Sequence, residues 1–242
     1  MQLYLGLLLI VVAGGATVLG LRQRLWWRVL RRTEVTTPDA LVSDSQDGRL
    51  DRGVRAVVGK AAGVEIKSTV NSEPCVWHRH AVRHRQTRTR TDRQGRTRRS
   101  SRSKRVADVR SNDPFQLAGA EASIAVMPAD MLVHRPERRG TRVLPGIASK
   151  PIPPSAELFS GAAVLNQYHH REWIIRVGTP LYILGEVAGK GQRVAVRRPT
   201  KGLHLISTRS GAYLVRRAQV LMLTGFALAV VALAAGIFLP IS

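Results

Sequence analysis

The chain has 242 residues, with 38 Lys and Arg against 16 Asp and Glu, and every one of these charges lies between Arg22 and Arg217. The uncharged ends are apolar over residues 3–21 and 220–239; each is about the twenty residues needed to cross a bilayer core, so a single soluble domain is excluded. A lone cysteine, Cys75, excludes an intramolecular disulfide framework.

In chain order, residues 1–21 are expected to form the first transmembrane helix. Met1 and Gln2 carry no side-chain charge and the apolar run is long, which disfavours a cleaved signal peptide. Residues 22–53 are expected to be juxtamembrane. Residues 22–32 place Leu25, Val29 and Leu30 among arginines at helical spacing, predicting a short amphipathic helix on the headgroups with Trp26 and Trp27 as an interfacial anchor. Residues 33–51, polar and broken by Pro38, read as a linker. Over residues 54–210, short apolar runs separated by Gly and Pro predict a β-rich domain. The fold class is therefore α+β, a β-rich soluble domain between two transmembrane α-helices. Expected strands are 55–66, 75–91, 96–109, 123–127, 179–186, 192–197 and 203–207. Residues 155–168 form the expected soluble helix, and prolines exclude 145–154 as a central strand. Residues 211–242 are read as a helix, beginning near Ser210 and continuing into the second span.

Within residues 78–110, Arg83, Arg85, Arg88 and Arg90 alternate with Thr87, Thr89 and Thr91, a period near two that predicts a β-ribbon turning at Gln94-Gly95. Its return limb, with Arg98, Arg99 and Arg102, is poor in apolar residues and expected to be flexible when unbound. These seven arginines are the candidate ligand-binding residues, for anionic headgroups ahead of nucleic acid, because no aromatic interleaves them. The competing reading is a solvated hairpin.

Cys75, His78, His80 and His84 suggest a metal, but alternation puts Cys75 on the opposite strand face and the neighbouring arginines repel a cation. No metal or cofactor is expected. Cys75 is read either as a small buried residue or as a thiolate favoured by nearby arginines. Beside His169, His170 and Glu172 no nucleophile, phosphate loop or carboxylate pair stands at a diagnostic spacing, so no catalytic residue is assigned. Glu172 and Glu186 are expected to pair with arginine.

Three blocks resemble a known family, the GIDE domain of the mitochondrial ubiquitin ligase activator and its prokaryotic relatives. They are Val58-Gly59, Ser68 and Pro74-Cys75-Val76; then Pro114-Phe115-Gln116-Leu117 with Ala125-Val126 and Pro128; then Tyr168, Glu172, Trp173, Gly178, Pro180-Leu181-Tyr182, Leu184-Gly185-Glu186 and Ile206-Ser207. The motif residues are Cys75, Pro114, Phe115, Glu172, Gly178 and Gly185. The resemblance implies a membrane-flanked recognition or organising domain. Animal ligases of this family carry a RING after the second span, with eight Cys or His on two zinc ions. Here one cysteine is present and no His follows His204, so ligase activity is not expected from this chain.

Ten Lys and Arg lie within about twenty residues of the spans on the loop side and none on the outer sides. This predicts a multi-pass inner-membrane protein with its domain cytoplasmic and both termini outside. Expected partners are the membrane, an unidentified protein and a second copy of the chain; nucleic acid is disfavoured. Gly225 with Ala229, Ala232 with Gly236, and Gly14, Gly15 and Ala16 predict close packing of the two spans, within one chain or across a dimer.

Overall fold

The computed structural model describes residues 2–91, 96–145, 162–191 and 193–238. Helix α1, Gln2–Arg32, runs without a break through the first apolar run and the arginines after it. A two-residue strand, β1 (Val35–Thr36), and a second helix, α2 (Pro38–Gln46), follow. The expected linker is therefore partly corrected. Thr37 caps α2 by accepting from Ala40 N, Pro38 fills the first turn, and Leu41 is fully buried. That is a helix start signal, and burial of Leu41 gives it a reason to form.

Thirteen further strands of the described chain complete two sheets and a small ribbon. The first twelve are β2 (Gly53–Ala62), β3 (Ile66–Lys67), β4 (Pro74–Cys75), β5 (Trp77–Thr91), β6 (Thr97–Arg110), β7 (Phe115–Ala118), β8 (Ser123–Val126), β9 (Val133–His134), β10 (Glu137–Pro145), β11 (Ala162–Ile175), β12 (Pro180–Lys190) and β13 (Arg193–Arg197). A last strand, β14 (Leu205–Ser207), precedes helix α3 (Gly211–Phe238).

Strand β2 pairs with β7, β7 with β8, β8 with β13, β13 with β12, and β12 returns to β2. Only the β8–β13 pairing is parallel. Numbered within this ring, the order is first, second, third, fifth, fourth and back to first, the topology of the OB-fold barrel. The inward residues of these strands, among them Val57, Leu117, Ile124, Val126, Ile183, Val187 and Val196, form one core with Trp77 and Met131. Gly185 permits the closure: a Cβ there would stand 2.7 Å from Val196 Cγ1 and 2.8 Å from the Arg197 carbonyl.

The second sheet, β10-β11-β5-β6, is antiparallel, and its strands are inserted between those of the barrel in chain order. It corrects the expected helix at 155–168. Residues 162–168 are the first part of β11, in register with β5 from Ala162 opposite Arg90 to Ile175 opposite Trp77, and residues 155–161 lie outside the described residues. A long β5 with an unpaired edge supplies hydrogen bonds that outweigh local helix preference. Of 145–154, only Pro145 is described, at the end of β10. The turn expected at Gln94-Gly95 also lies outside the described residues.

Both long helices are apolar enough to cross a membrane, and they pack on each other. A Cβ on Gly225 would lie 3.1 Å from Gly20 Cα, and one on Gly236 3.2 Å from the Gly6 carbonyl. The small residues of the first span that matter are thus Gly6, Ala16 and Gly20; Gly14 and Gly15 have nothing within 4 Å of their Cβ positions. Beyond the apolar runs, Leu30 and Leu214 join Ala56, Tyr182, Leu184 and Leu205 in a cluster on the outer barrel wall, flanked by Trp26 and Val29. The apolar face assigned to headgroups is therefore taken largely by the barrel, while Leu25 stays exposed.

Candidate functional site

Strand alternation and register divide the candidate arginines between the two faces of the second sheet. Arg83 and Arg85 share one face with Arg99 and Arg105, because Arg83 stands opposite Arg105, Arg85 opposite Ser103 and Thr89 opposite Arg99. Arg88, Arg98 and Arg102 share the other with Lys104 and His84. The Arg90 side chain lies outside the described residues. Arg83, Arg85, Arg88, Arg98, Arg99 and Arg102 are all exposed; Arg85 donates from Nε to Ser101 Oγ at 2.9 Å. The return limb is strand β6, paired with β5 from Thr97 opposite Thr91 to Arg110 opposite Arg79.

At the base of this hairpin Asp108 holds two of the arginines. Arg79 donates twice to Asp108 at 2.7 Å, and Arg105 donates to it at 3.0 Å. The Arg79 guanidinium holds the Asp108 carboxyl below the usual carboxylate range, and Arg79 lies 5.4 Å over the Trp173 ring. On the opposite face His80 Nε2 is 3.1 Å from His170 Nδ1 with the rings stacked, while His84 meets Asn166 Oδ1 and the Tyr168 ring. His78 Nε2 lies 3.1 Å from Thr69 Oγ1.

Glu172 is the principal correction among the motif residues. It is 1% exposed and makes no ion pair with an arginine among the described residues. Instead it accepts hydrogen bonds from Ser68 Oγ at 3.0 Å, Val70 N at 2.8 Å, Asn71 N at 3.2 Å and Asn71 Nδ2 at 2.9 Å. The carboxyl thus ties the β3–β4 loop to the second sheet. Glu186 does pair as expected, with Arg52 and with Arg197 at 3.7 Å.

Phe115 is buried in the barrel core just after exposed Pro114. Gly178 adopts φ +78° in the turn before β12 and donates to the Ala61 carbonyl at 2.7 Å. Cys75 is fully buried, and its Sγ lies 3.5 Å from the Ile66 carbonyl. Burial first, then Glu172 and Glu73, push its thiol up to about 11, which disfavours the thiolate alternative. Folded protein is accordingly expected to resist maleimide labelling at pH 7.5 and to label at once in denaturant; rapid labelling of the native protein would show that Cys75 is accessible.

One connection escaped the sequence reading. Asp39 at the start of α2 accepts from Ala120 N, Glu121 N and Ala122 N at 2.6–2.9 Å, capping the β7–β8 turn. These donors hold its carboxyl below the ordinary range. A cleft of about 870 Å³ opens beside it, between α2 and strands β8 and β13. The usable signals were Thr37-Pro38-Asp39 as a helix start and Gly119, where a Cβ would collide with the Asp39 carboxyl.

Compared with known proteins, the chain matches the family model GIDE, described as E3 ubiquitin ligase, over residues 84–237. No curated protein and no solved structure matches it.

Proposed function

Because the chain belongs to the GIDE family, described as E3 ubiquitin ligase, we propose that it is a two-span membrane protein that presents a GIDE-type recognition or scaffold domain to the cytoplasm, and that no RING is formed within these 242 residues. One observation carries this reading. Helices α1 and α3 pass unbroken from apolar segments that pack on each other into a shared cluster on the barrel wall. A barrel held in this way stays at the bilayer and leaves the hairpin end of the second sheet to solvent. A RING needs eight Cys or His ligands for two zinc ions, and these 242 residues contain one cysteine with no His after His204. The cytoplasmic side is supported by the ten membrane-proximal Lys and Arg. In reporter fusions at the C-terminus, alkaline phosphatase is expected to be active and a cytoplasm-dependent fluorescent protein dark; the opposite pair would overturn the orientation.

A second reading, a basic tether that binds anionic lipid or nucleic acid through the hairpin, is favoured by Arg83, Arg88, Arg98, Arg99, Arg102 and Lys104. These are exposed and make no ion pair among the described residues. If it holds, replacing Arg98, Arg99 and Arg102 with Gln lowers the salt slope of single-stranded oligonucleotide binding by about two, since each lost phosphate contact removes roughly 0.7. An unchanged slope, together with unchanged salt dependence of binding to anionic liposomes, would reject the tether.

A further inference from the structure

The second sheet ends in two edge strands, β10 and β6. The β10 edge is blunted, because its register shifts between Arg139 and Thr141 and it closes on Pro145. Strand β6 is longer, has no proline, and pairs regularly with β5 from Thr97 to Arg105; its extra residue, Val106, lies beyond that stretch. Every residue from Thr97 to Val106 is exposed.

Register shows which backbone groups this edge presents. Ser111 N donates to the His78 carbonyl at 2.9 Å, so His78 and Ser111 form a hydrogen-bonded pair of the β5–β6 ladder. In an antiparallel ladder every second residue bonds to the partner strand and the others face away from it. Counted in twos along β5, the bonded pairs include His84 with Lys104, Gln86 with Arg102 and Arg88 with Ser100. The N–H and C=O groups of Arg99, Ser101, Ser103 and Arg105 therefore point out of the sheet, and no backbone group meets them among the described residues.

The side chains decide what covers this row. Arg98, Arg102 and Lys104 stand on one face of the edge and Arg99 on the other, and none of the four makes an ion pair among the described residues. The acids of this sheet are remote from them. Strand β5 has none, and Asp108, Glu172 and Glu137 fall in register with residues 78–81 of β5, whereas Arg98 to Lys104 fall in register with residues 84–90. Asp92 lies outside the described residues. A second copy of β6 is disfavoured, since antiparallel pairing of two such edges sets arginine against arginine. Nucleic acid fits less well than peptide, because the outward carbonyls repel phosphate but accept from a peptide N–H, and β6 has no aromatic residue on which a base stacks.

We propose that the outer edge of β6, over residues 98–105, takes an acidic extended segment of a partner protein as an added β-strand. Its backbone pairs with Arg99, Ser101, Ser103 and Arg105, and its Asp or Glu side chains lie beside Arg98, Arg99, Arg102 and Lys104. Acidic segments poor in apolar residues have no structure of their own to lose on pairing. The proposal names a partner class for the recognition domain and rests on that reading; peptide binding is read in detergent solution and orientation by the reporter fusions, so either can fail alone.

The test uses the full chain in neutral detergent and a fluorescein-labelled peptide of about nine residues, alternating Glu and Thr, followed by anisotropy. Wild-type protein is expected to bind it saturably, and to bind the same peptide N-methylated at every residue at least about tenfold more weakly, because charge is kept and the backbone donors are gone. Replacing Arg98, Arg99 and Arg102 with Gln costs about tenfold. Ser101→Pro with Ser103→Pro removes two outward N–H groups without touching a bond to β5, so it weakens binding at least about tenfold while Cys75 stays protected from maleimide. Equal binding of the plain and N-methylated peptides, binding unchanged in the Gln variant, or tight binding by a proline variant with protected Cys75 would each overturn the proposal. Binding of an oligonucleotide or of phosphatidylglycerol vesicles with none of the peptide would overturn it too, and would leave the arginines to the tether.

Discussion

Glu172→Ala is expected to lower the melting temperature of the detergent-solubilised protein by roughly 10 °C. The substitution leaves four donors, Ser68 Oγ, Val70 N, Asn71 N and Asn71 Nδ2, without the acceptor that they share. Unmade hydrogen bonds at buried sites cost about 1–3 kcal/mol each but do not add fully, so about 3 kcal/mol is expected in total. At roughly 2–4 °C per kcal/mol for a chain of this size, that gives the stated shift. Glu172→Gln keeps one oxygen and turns an amide toward a donor, so it is expected to lose about half as much. A local readout accompanies the global one. The loop held by Glu172 leads into β4, and Cys75 pairs there with Ile66, so the thiol should become reactive in Glu172→Ala well below the melting temperature. An unchanged melt together with continued protection of Cys75 would mean that the carboxyl does not anchor the loop.

The second large effect is expected inside the membrane. Gly225→Leu with Gly236→Leu should drive α1 and α3 apart, because a Cβ at either position already meets backbone or side-chain atoms of α1 at 3.1–3.3 Å. Lipid supplies no hydrophobic force between helices, so association depends on this close approach. Overpacking by a leucine side chain costs about 1–3 kcal/mol, enough for a tenfold loss of contact. Cysteines at Ala13 and Ala229, both buried between the helices, read it in a Cys75→Ser background. Strong crosslinking in the parent and weak crosslinking in the double variant is the expected pattern. Equal crosslinking in both would make the glycines incidental. Gly14→Leu with Gly15→Leu is the matched control, since nothing lies within 4 Å of either Cβ position and crosslinking should persist.

The same contrast separates what could be read from the chain and what could not. Gly225 and Gly236 stood out as small residues in an apolar run, and so did Gly14 and Gly15, but composition does not say which way a helix is turned. Partner choice decides it. Cys75 was legible as a buried small residue because a lone cysteine is usually inside, yet the carboxyl nearest to it in effect, Glu172, was assigned to an arginine. In an arginine-rich chain that assignment follows composition; the actual partners are hydroxyl, backbone and amide groups of residues 68–71, about a hundred positions away. The hairpin was legible from its period of two, whereas its division into two charged faces depends on register, including the bulge between Val82 and Arg83.

By itself the sequence determined the two apolar helices, the β-rich segment between them, the long hairpin and the helix that enters the second span from Ser210. Each follows from local composition or from a period of 2 or 3.6, which neighbouring residues settle among themselves. Tertiary structure decided that five strands close into a barrel, that residues 162–168 are strand, that the helix start at Thr37-Pro38 is carried through to Gln46, and that the end of α1 lies on the barrel wall. All four depend on partners distant in sequence: β2 with β12, β11 with β5, Asp39 with the β7–β8 turn, and Leu30 with Leu205 and Leu214. A strand edge or an apolar face is indifferent to which partner covers it until the chain brings one there, and that choice is made by the whole fold.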